Sequence, residues 1–98
     1  MGNKPAYLIS PLAVSDLEEI WQYTVENWSA AQAEKYHSAI IAAFEGLASG
    51  RIAGRRADIR EEYYKHLAGA HMIFFQRSDT GMKIIRILHQ RMDAERHL

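Results

Sequence analysis

Residues 83–93 read Lys83-Ile84-Ile85-Arg86-Ile87-Leu88-His89-Gln90-Arg91-Met92-Asp93. The β-branched and aliphatic residues from Ile84 to Leu88 have the composition of a strand. One cation, Arg86, interrupts them. A strand with one solvated face alternates apolar and polar residues, and this one does not. It is therefore expected to be central in its sheet, covered on both faces. Strict alternation puts Ile85 and Ile87 on one face, and Ile84, Arg86 and Leu88 on the other. An unpaired guanidinium there would be costly, so Arg86 needs a carboxylate, a carbonyl cluster or a ligand anion. Asp58, Glu61 and Asp93 are the structural candidates.

Upstream, His71 to Gln76 forms a second strand, with Met72 and Phe74 on one face and Ile73 and Phe75 on the other. Ser78-Asp79-Thr80-Gly81 has the composition of the hairpin turn between the two. Gly69 marks an earlier turn, and a further strand begins near Tyr63. Arg51 to Glu62 lacks periodicity and reads as a basic loop. Gln90 to Leu98 is a polar tail with one helical turn.

The first half is helical. A short apolar strand, Tyr7 to Ser10, leads into Ser10-Pro11, an N-cap followed by proline where a missing N–H costs nothing. Ala13, Leu17, Ile20, Trp21, Thr24 and Trp28 recur at helical steps. Ser29 with Gln32 has the spacing of a capping box, Ala33, Tyr36, Ile40, Ala43, Phe44 and Leu47 form the second apolar face, and Gly50 stops that helix. The short link between the helices requires an antiparallel hairpin. The predicted fold is α+β: an N-terminal strand and a two-helix antiparallel hairpin packed on one face of a small, mainly antiparallel sheet, in one domain over residues 1–98. Two helices cover one sheet face only. The other, apolar face is read as a partner-binding surface; loops, the C-terminal tail or a second copy are the alternatives.

Composition narrows the function. Net charge is zero. Residues 1–50 carry two Lys/Arg against six Asp/Glu (2 − 6 = −4), and residues 51–98 carry ten against six (10 − 6 = +4). Such a dipolar chain has one end suited to an anionic partner. There are no cysteines, which removes disulfides and the common structural zinc sites and fits a reducing compartment. No apolar run approaches the roughly 18 residues of a membrane span, and Met1-Gly2-Asn3-Lys4-Pro5 lacks a secretory apolar stretch. A cytoplasmic protein with no membrane association, no cofactor and no metal is expected. No phosphate loop, dinucleotide fingerprint or nucleophile elbow is present. Arg60, Lys65, Arg86, His89 and Arg91 could converge on one side of the sheet, where they would suit a phosphodiester. Trp21, Tyr23, Trp28 and Tyr36 read as helix core and helix edge, with a partner contact as the alternative for Trp28.

These elements resemble ParE-type toxins of the RelE/ParE toxin–antitoxin superfamily. The resemblance runs through Ala13-x-x-Asp16-Leu17-x-x-Ile20-Trp21-x-Tyr23, then Tyr36, Ile40, Phe44 and Leu47, then Gly54-Arg55, Asp58, Tyr63 and His71-Met72-Ile73-Phe74-Phe75. Its most specific part is Ile84 to Asp93, and it spans about residues 7–98. The loop Ser49 to Gly54 departs from it by lacking a proline. The resemblance implies a DNA gyrase inhibitor of the growth-arrest and plasmid-stabilisation type. It also implies a ParD-like antitoxin whose C-terminal segment folds on the toxin, in a complex that reaches operator DNA only through the antitoxin. Under it, Met72, Phe74, Ile84, Arg86 and Leu88 are the expected antitoxin-binding residues. Arg55, Arg56, Arg60 and Arg91 are the target-binding candidates, and no catalytic residue is expected. The alternative is a RelE-like, ribosome-dependent mRNA endonuclease using Arg60, Arg86, His89 and Arg91. The C-terminal tyrosine of that branch has no match, the last tyrosine being Tyr64. A third reading is a dimerisation module using the same apolar face.

Overall fold

The computed structural model describes residues 7–79 and 81–98. Met1 to Pro5, and Thr80 of the predicted turn, lie outside the described residues. In order, the elements are β1 (Tyr7–Ile9), α1 (Pro11–Asn27), α2 (Ala30–Ser49), β2 (Arg55–Arg56), β3 (Tyr63–Ala68), β4 (His71–Ser78), β5 (Gly81–His89) and α3 (Ala94–His97). The sheet runs β1-β5-β4-β3-β2. Among the described residues, only the β1–β5 pairing is parallel. The expected α+β layout is present, with β2 as a short addition at the far edge.

Local chemistry sets the helix limits. The Ser10 hydroxyl accepts the Ala13 N–H at 3.1 Å and donates to the Ile85 carbonyl at 2.7 Å. It therefore starts α1 and ties that start to β5. Ser29 accepts the Gln32 N–H at 3.0 Å, and Gly50, at φ +82°, ends α2 in the left-handed conformation that glycine adopts without strain. Against the helices lies a core of Ala13, Leu17, Ile40, Phe44 and Leu47 with Ile73, Phe75, Met82, Ile84 and Ile87. Burying each large side chain contributes about 1.5–3 kcal/mol.

Two expectations are corrected in β5. The β4–β5 register shifts at Phe74/Phe75: Phe74 faces Arg86, but Phe75 faces Ile84, which leaves Ile85 as the extra residue of a bulge. A bulge reverses the alternation beyond it. Ile84, assigned by alternation to the far face, is completely buried beneath the helices, and the steps along that face run Met82, Ile84, Ile87. Ile85, expected under the helices, is half-exposed. Nor is β5 flanked by strands throughout. β1 ends at Ile9 opposite Ile84, so beyond that point β5 has a strand on one side only.

The second sheet face is covered by the chain itself. Phe74 and Leu88 are buried with Ala57, and Ile59, Tyr63, Met72, Ala94 and Leu98 pack around them. The 57–63 segment and the α3 region thus close over the face that was read as a partner surface. Of the residues assigned to it, Phe74, Ile84 and Leu88 are buried, and Met72 is half-buried. The tail and loop alternative is the one the fold adopts.

Candidate functional site

The side chain that stands out in the sequence is held from α1. Asp16 sits on the helix stripe that also carries Ala13, Leu17 and Ile20, and is buried. Its two carboxylate oxygens accept Nε and Nη2 of Arg86 at 2.8 Å each. Oδ2 also accepts the Ile87 N–H at 2.9 Å. That N–H belongs to the part of β5 left without a strand neighbour, so Asp16 takes the place of the missing strand. Nη1 of Arg86 donates to the His97 carbonyl at 3.1 Å. One guanidinium therefore links α1 on one face to α3 on the other, around the edge of β5. Its hydrogen bonds to Asp16 raise its pKa above the ordinary value despite the opposing effect of burial. Asp58, Glu61 and Asp93 are not its partners. The sequence signal for Asp16 was a carboxylate on an apolar stripe, a position that calls for a buried cation.

A cleft of about 820 Å³ opens beside this pair, between the C-terminal half of α1, the end of β5 and the β3–β4 turn. Its floor carries three polar rings. The Tyr36 hydroxyl accepts the Ala70 N–H at 3.0 Å and lies 2.7 Å from His71 Nδ1. His71 and His89 are directly opposed on β4 and β5, with ring centroids 5.4 Å apart. His89 Nδ1 accepts the Arg91 N–H at 3.1 Å. Gly69, at φ +60°, makes the turn that presents Ala70 to Tyr36, and an added Cβ there would meet the tyrosine ring at 2.7 Å. Tyr23, Trp28 and Met92 line the cleft with much of their surface in solvent. The exposure of Trp28 and Tyr23 puts both at the helix edge and not in its core. Among the described residues, no three His, Cys, Asp or Glu side chains are grouped to hold a metal ion, and no helix is long and apolar enough to cross a membrane.

Burial, and secondarily the proximity of His89, lowers the pKa of His71, against a smaller opposing effect of Asp16. The unfolded chain takes up its proton near the ordinary value of 6.5, while the folded chain resists. Stability is thus unaffected by His71 above that value and declines as pH falls below it, levelling off beneath the folded pKa. The urea midpoint should fall between pH 7.5 and 5.5, and by less in His71→Gln. An equal fall in both proteins would remove His71 as the cause.

The remaining basic residues do not converge. Arg55 and Arg56 are exposed on edge strand β2. Arg60 donates to the Leu98 carbonyl at 3.0 Å and lies over the Tyr63 ring, beside the second core cluster. Lys65 lines a second groove on that same face, which shares Leu88, His89 and Met92 with the cleft. Arg91 is exposed just past β5. Of Arg60, Arg86, His89 and Arg91, only Arg86 and His89 share the cleft.

Residues 7–94 match the family described as "ParE toxin of type II toxin-antitoxin system, parDE". "Toxin ParE1" of Mycobacterium tuberculosis is 42% identical over 94 residues, covering 94% of this chain and 96% of that protein. "Toxin ParE1" of Caulobacter vibrioides is 34% identical over 93 residues, again covering 94% and 96%. Among solved structures, "Chromosomal ParDE TA system from P. aeruginosa" has the same fold. Its TM-score is 0.75 at 17% identity, over 88% of this chain and 96% of that one.

Proposed function

The chain belongs to the family of ParE toxins of type II parDE toxin–antitoxin systems, and from that premise we propose that it arrests growth by binding and inhibiting DNA gyrase in the cytoplasm. The partner of a ParE toxin in a ParDE system is a ParD antitoxin. On this reading, the complex of the two, and not the free toxin, reaches operator DNA.

The observation that carries the choice of gyrase over RNA cleavage is the commitment of Arg86. Both oxygens of Asp16 and the His97 carbonyl already engage its guanidinium. A cation so placed has no free fork to stabilise charge on a phosphate. Tyr64, the last tyrosine, stacks on Phe75 within the sheet. Inhibition by binding needs no general acid or base. The exposed guanidinium groups of Arg55, Arg56 and Arg91 supply target contacts, with Arg60 a fourth candidate.

Purified protein should stop gyrase from supercoiling a relaxed plasmid, and induced expression should arrest growth with a DNA-damage response. Replacing Arg55 and Arg56 together by Glu should weaken that inhibition about tenfold or more, as loss of charge-assisted contacts does. Normal supercoiling at excess toxin, with ribosome-dependent cuts in mRNA, would replace this reading with the nuclease.

A further inference from the structure

We propose that the open edge of β3 beside α2, from His66 to Ala68, receives an extended, acidic segment of the target protein as an added strand. This rests on the gyrase reading above and names the kind of element that is gripped.

The backbone of β3 is only partly paired. It pairs with β4 over its whole length, Tyr63–Ala68, but β2 covers it only at Tyr64 and Lys65. The chain that leads into β2 comes from α2 instead of running along β3, and its Ile52 N–H donates to the Gly46 carbonyl at 3.0 Å. The Tyr63 carbonyl accepts the Ala57 N–H at 2.8 Å, so it faces the β2 side. Alternation gives Lys65 and Leu67 the same direction. The N–H and C=O of Leu67 therefore point off the sheet, and among the described residues no strand lies there to bond them. An unpaired edge of this kind is a template for an added strand.

The side chains around the edge suit an apolar and acidic segment. A groove of about 800 Å³ runs between α2 and β3, lined by Ala39, Ile40 and Ala43, by Ile52, and by His66 and Ala68. On the opposite face Leu67 is 42% exposed, so an incoming strand meets apolar surface on both of its sides. Among the described residues no Asp or Glu lines the groove, whereas Arg51 does, and Arg55 and Arg56 continue the same sheet edge in solvent. A segment alternating apolar residues with Asp or Glu matches this rim. A second copy paired edge to edge about Leu67 would instead bring two sets of arginines together. A nucleic acid would meet the arginines but leave the Leu67 backbone and the apolar lining unused.

The test uses the full chain with purified gyrase, in hydrogen exchange read by mass spectrometry and in plasmid supercoiling. The Leu67 amide should exchange about tenfold or more slowly in the complex than in the free chain, while the His66 and Ala68 amides, directed at β4, keep their rates. Leu67→Pro removes an outward N–H, which an edge strand tolerates. Ala39→Glu/Ala42→Glu places negative charge at two exposed positions that line the groove. With circular dichroism unchanged, each variant should need about tenfold more protein for half-inhibition of supercoiling. Should Leu67→Pro fail to fold, the alanine variant and the exchange measurement decide. A Leu67 amide left unprotected in an inhibitory complex, or an alanine variant as potent as the parent, would overturn the proposed seat and leave the gyrase reading standing. Protection of Leu67 by a second copy, by plasmid DNA alone, or by the antitoxin and not gyrase would assign the edge elsewhere and overturn it too. If the unaltered chain neither binds nor inhibits gyrase, the gyrase reading fails and the proposal with it.

Discussion

Asp16→Ala should destabilise the fold by about 3–5 kcal/mol, the cost of leaving a buried charge without its partner. The two side chains are only 8% and 15% exposed, so the pair is largely shielded from water in the intact fold. The Ile87 N–H is stranded as well, and a buried unsatisfied donor adds about 1–3 kcal/mol within that total. Against an ordinary stability of about 5–15 kcal/mol, such a loss lowers the amount of folded protein in cells. Arg86→Ala should behave similarly, with the His97 carbonyl released too. A paired replacement, Asp16→Leu with Arg86→Met, should recover much of the loss, because packed apolar side chains substitute well for buried ion pairs. Urea denaturation of the four proteins measures the coupling. Additive single losses would show that the pair does not act as a unit. The cycle also decides how a toxicity defect in Arg86→Ala is read: a defect that follows stability and returns with the double replacement belongs to folding, not to the target surface.

Gly54→Ala should cost about 1–3 kcal/mol, the usual penalty for overfilling a packed interior. A Cβ at Gly54 would lie 2.5 Å from Cζ of Phe75 and 3.2 Å from the Lys65 carbonyl. The ring cannot retreat. Phe75 is completely buried, stacks on Tyr64 at 5.7 Å and has the Arg77 guanidinium over its ring. The demand on Gly54 is one of space, since its backbone is not in the left-handed region. Phe75→Leu should be destabilising alone yet relieve Gly54→Ala in combination. Thermal melts of the single and double variants measure this, and a Gly54→Ala protein as stable as the parent would show that the loop moves aside.

What could be read from residues alone was whatever local chemistry decides. Ser10-Pro11, Ser29 with Gln32, and Gly50 mark helix ends through bonds made within a few residues, and the alternation from Met72 to Phe75 matched the faces of β4. The failures were non-local. One inserted residue at Ile85 exchanges the faces of its neighbours, and nothing in a run of isoleucines marks which of them bulges. The partner of Arg86 lies 70 positions away. Asp58, Glu61 and Asp93, carboxylates in the same half of the chain, are not its partners. The cover over Phe74 and Leu88 comes from a basic loop and a polar tail whose few apolar residues, Ala57, Ile59, Ala94 and Leu98, are too sparse to show periodicity. The cleft was not legible either: Trp28 fits the helical repeat of α1, yet most of its surface is in solvent.

The parallel pairing of β1 with β5 has a temporal consequence. β5 is the last strand of the sheet to be synthesised, yet it lies between β1 and β4. The start of α1 is itself fastened to the backbone of Ile84 and Ile85. A growing chain can form the α1–α2 hairpin early, but the sheet it docks on is incomplete until Met82, Ile84 and Ile87 join Ile73 and Phe75. Contacts of such long span make for slow, all-or-none folding. The folded molecule therefore forms only once β5 has been made, and a chain interrupted before it lacks Met82, Ile84 and Ile87 from its main core.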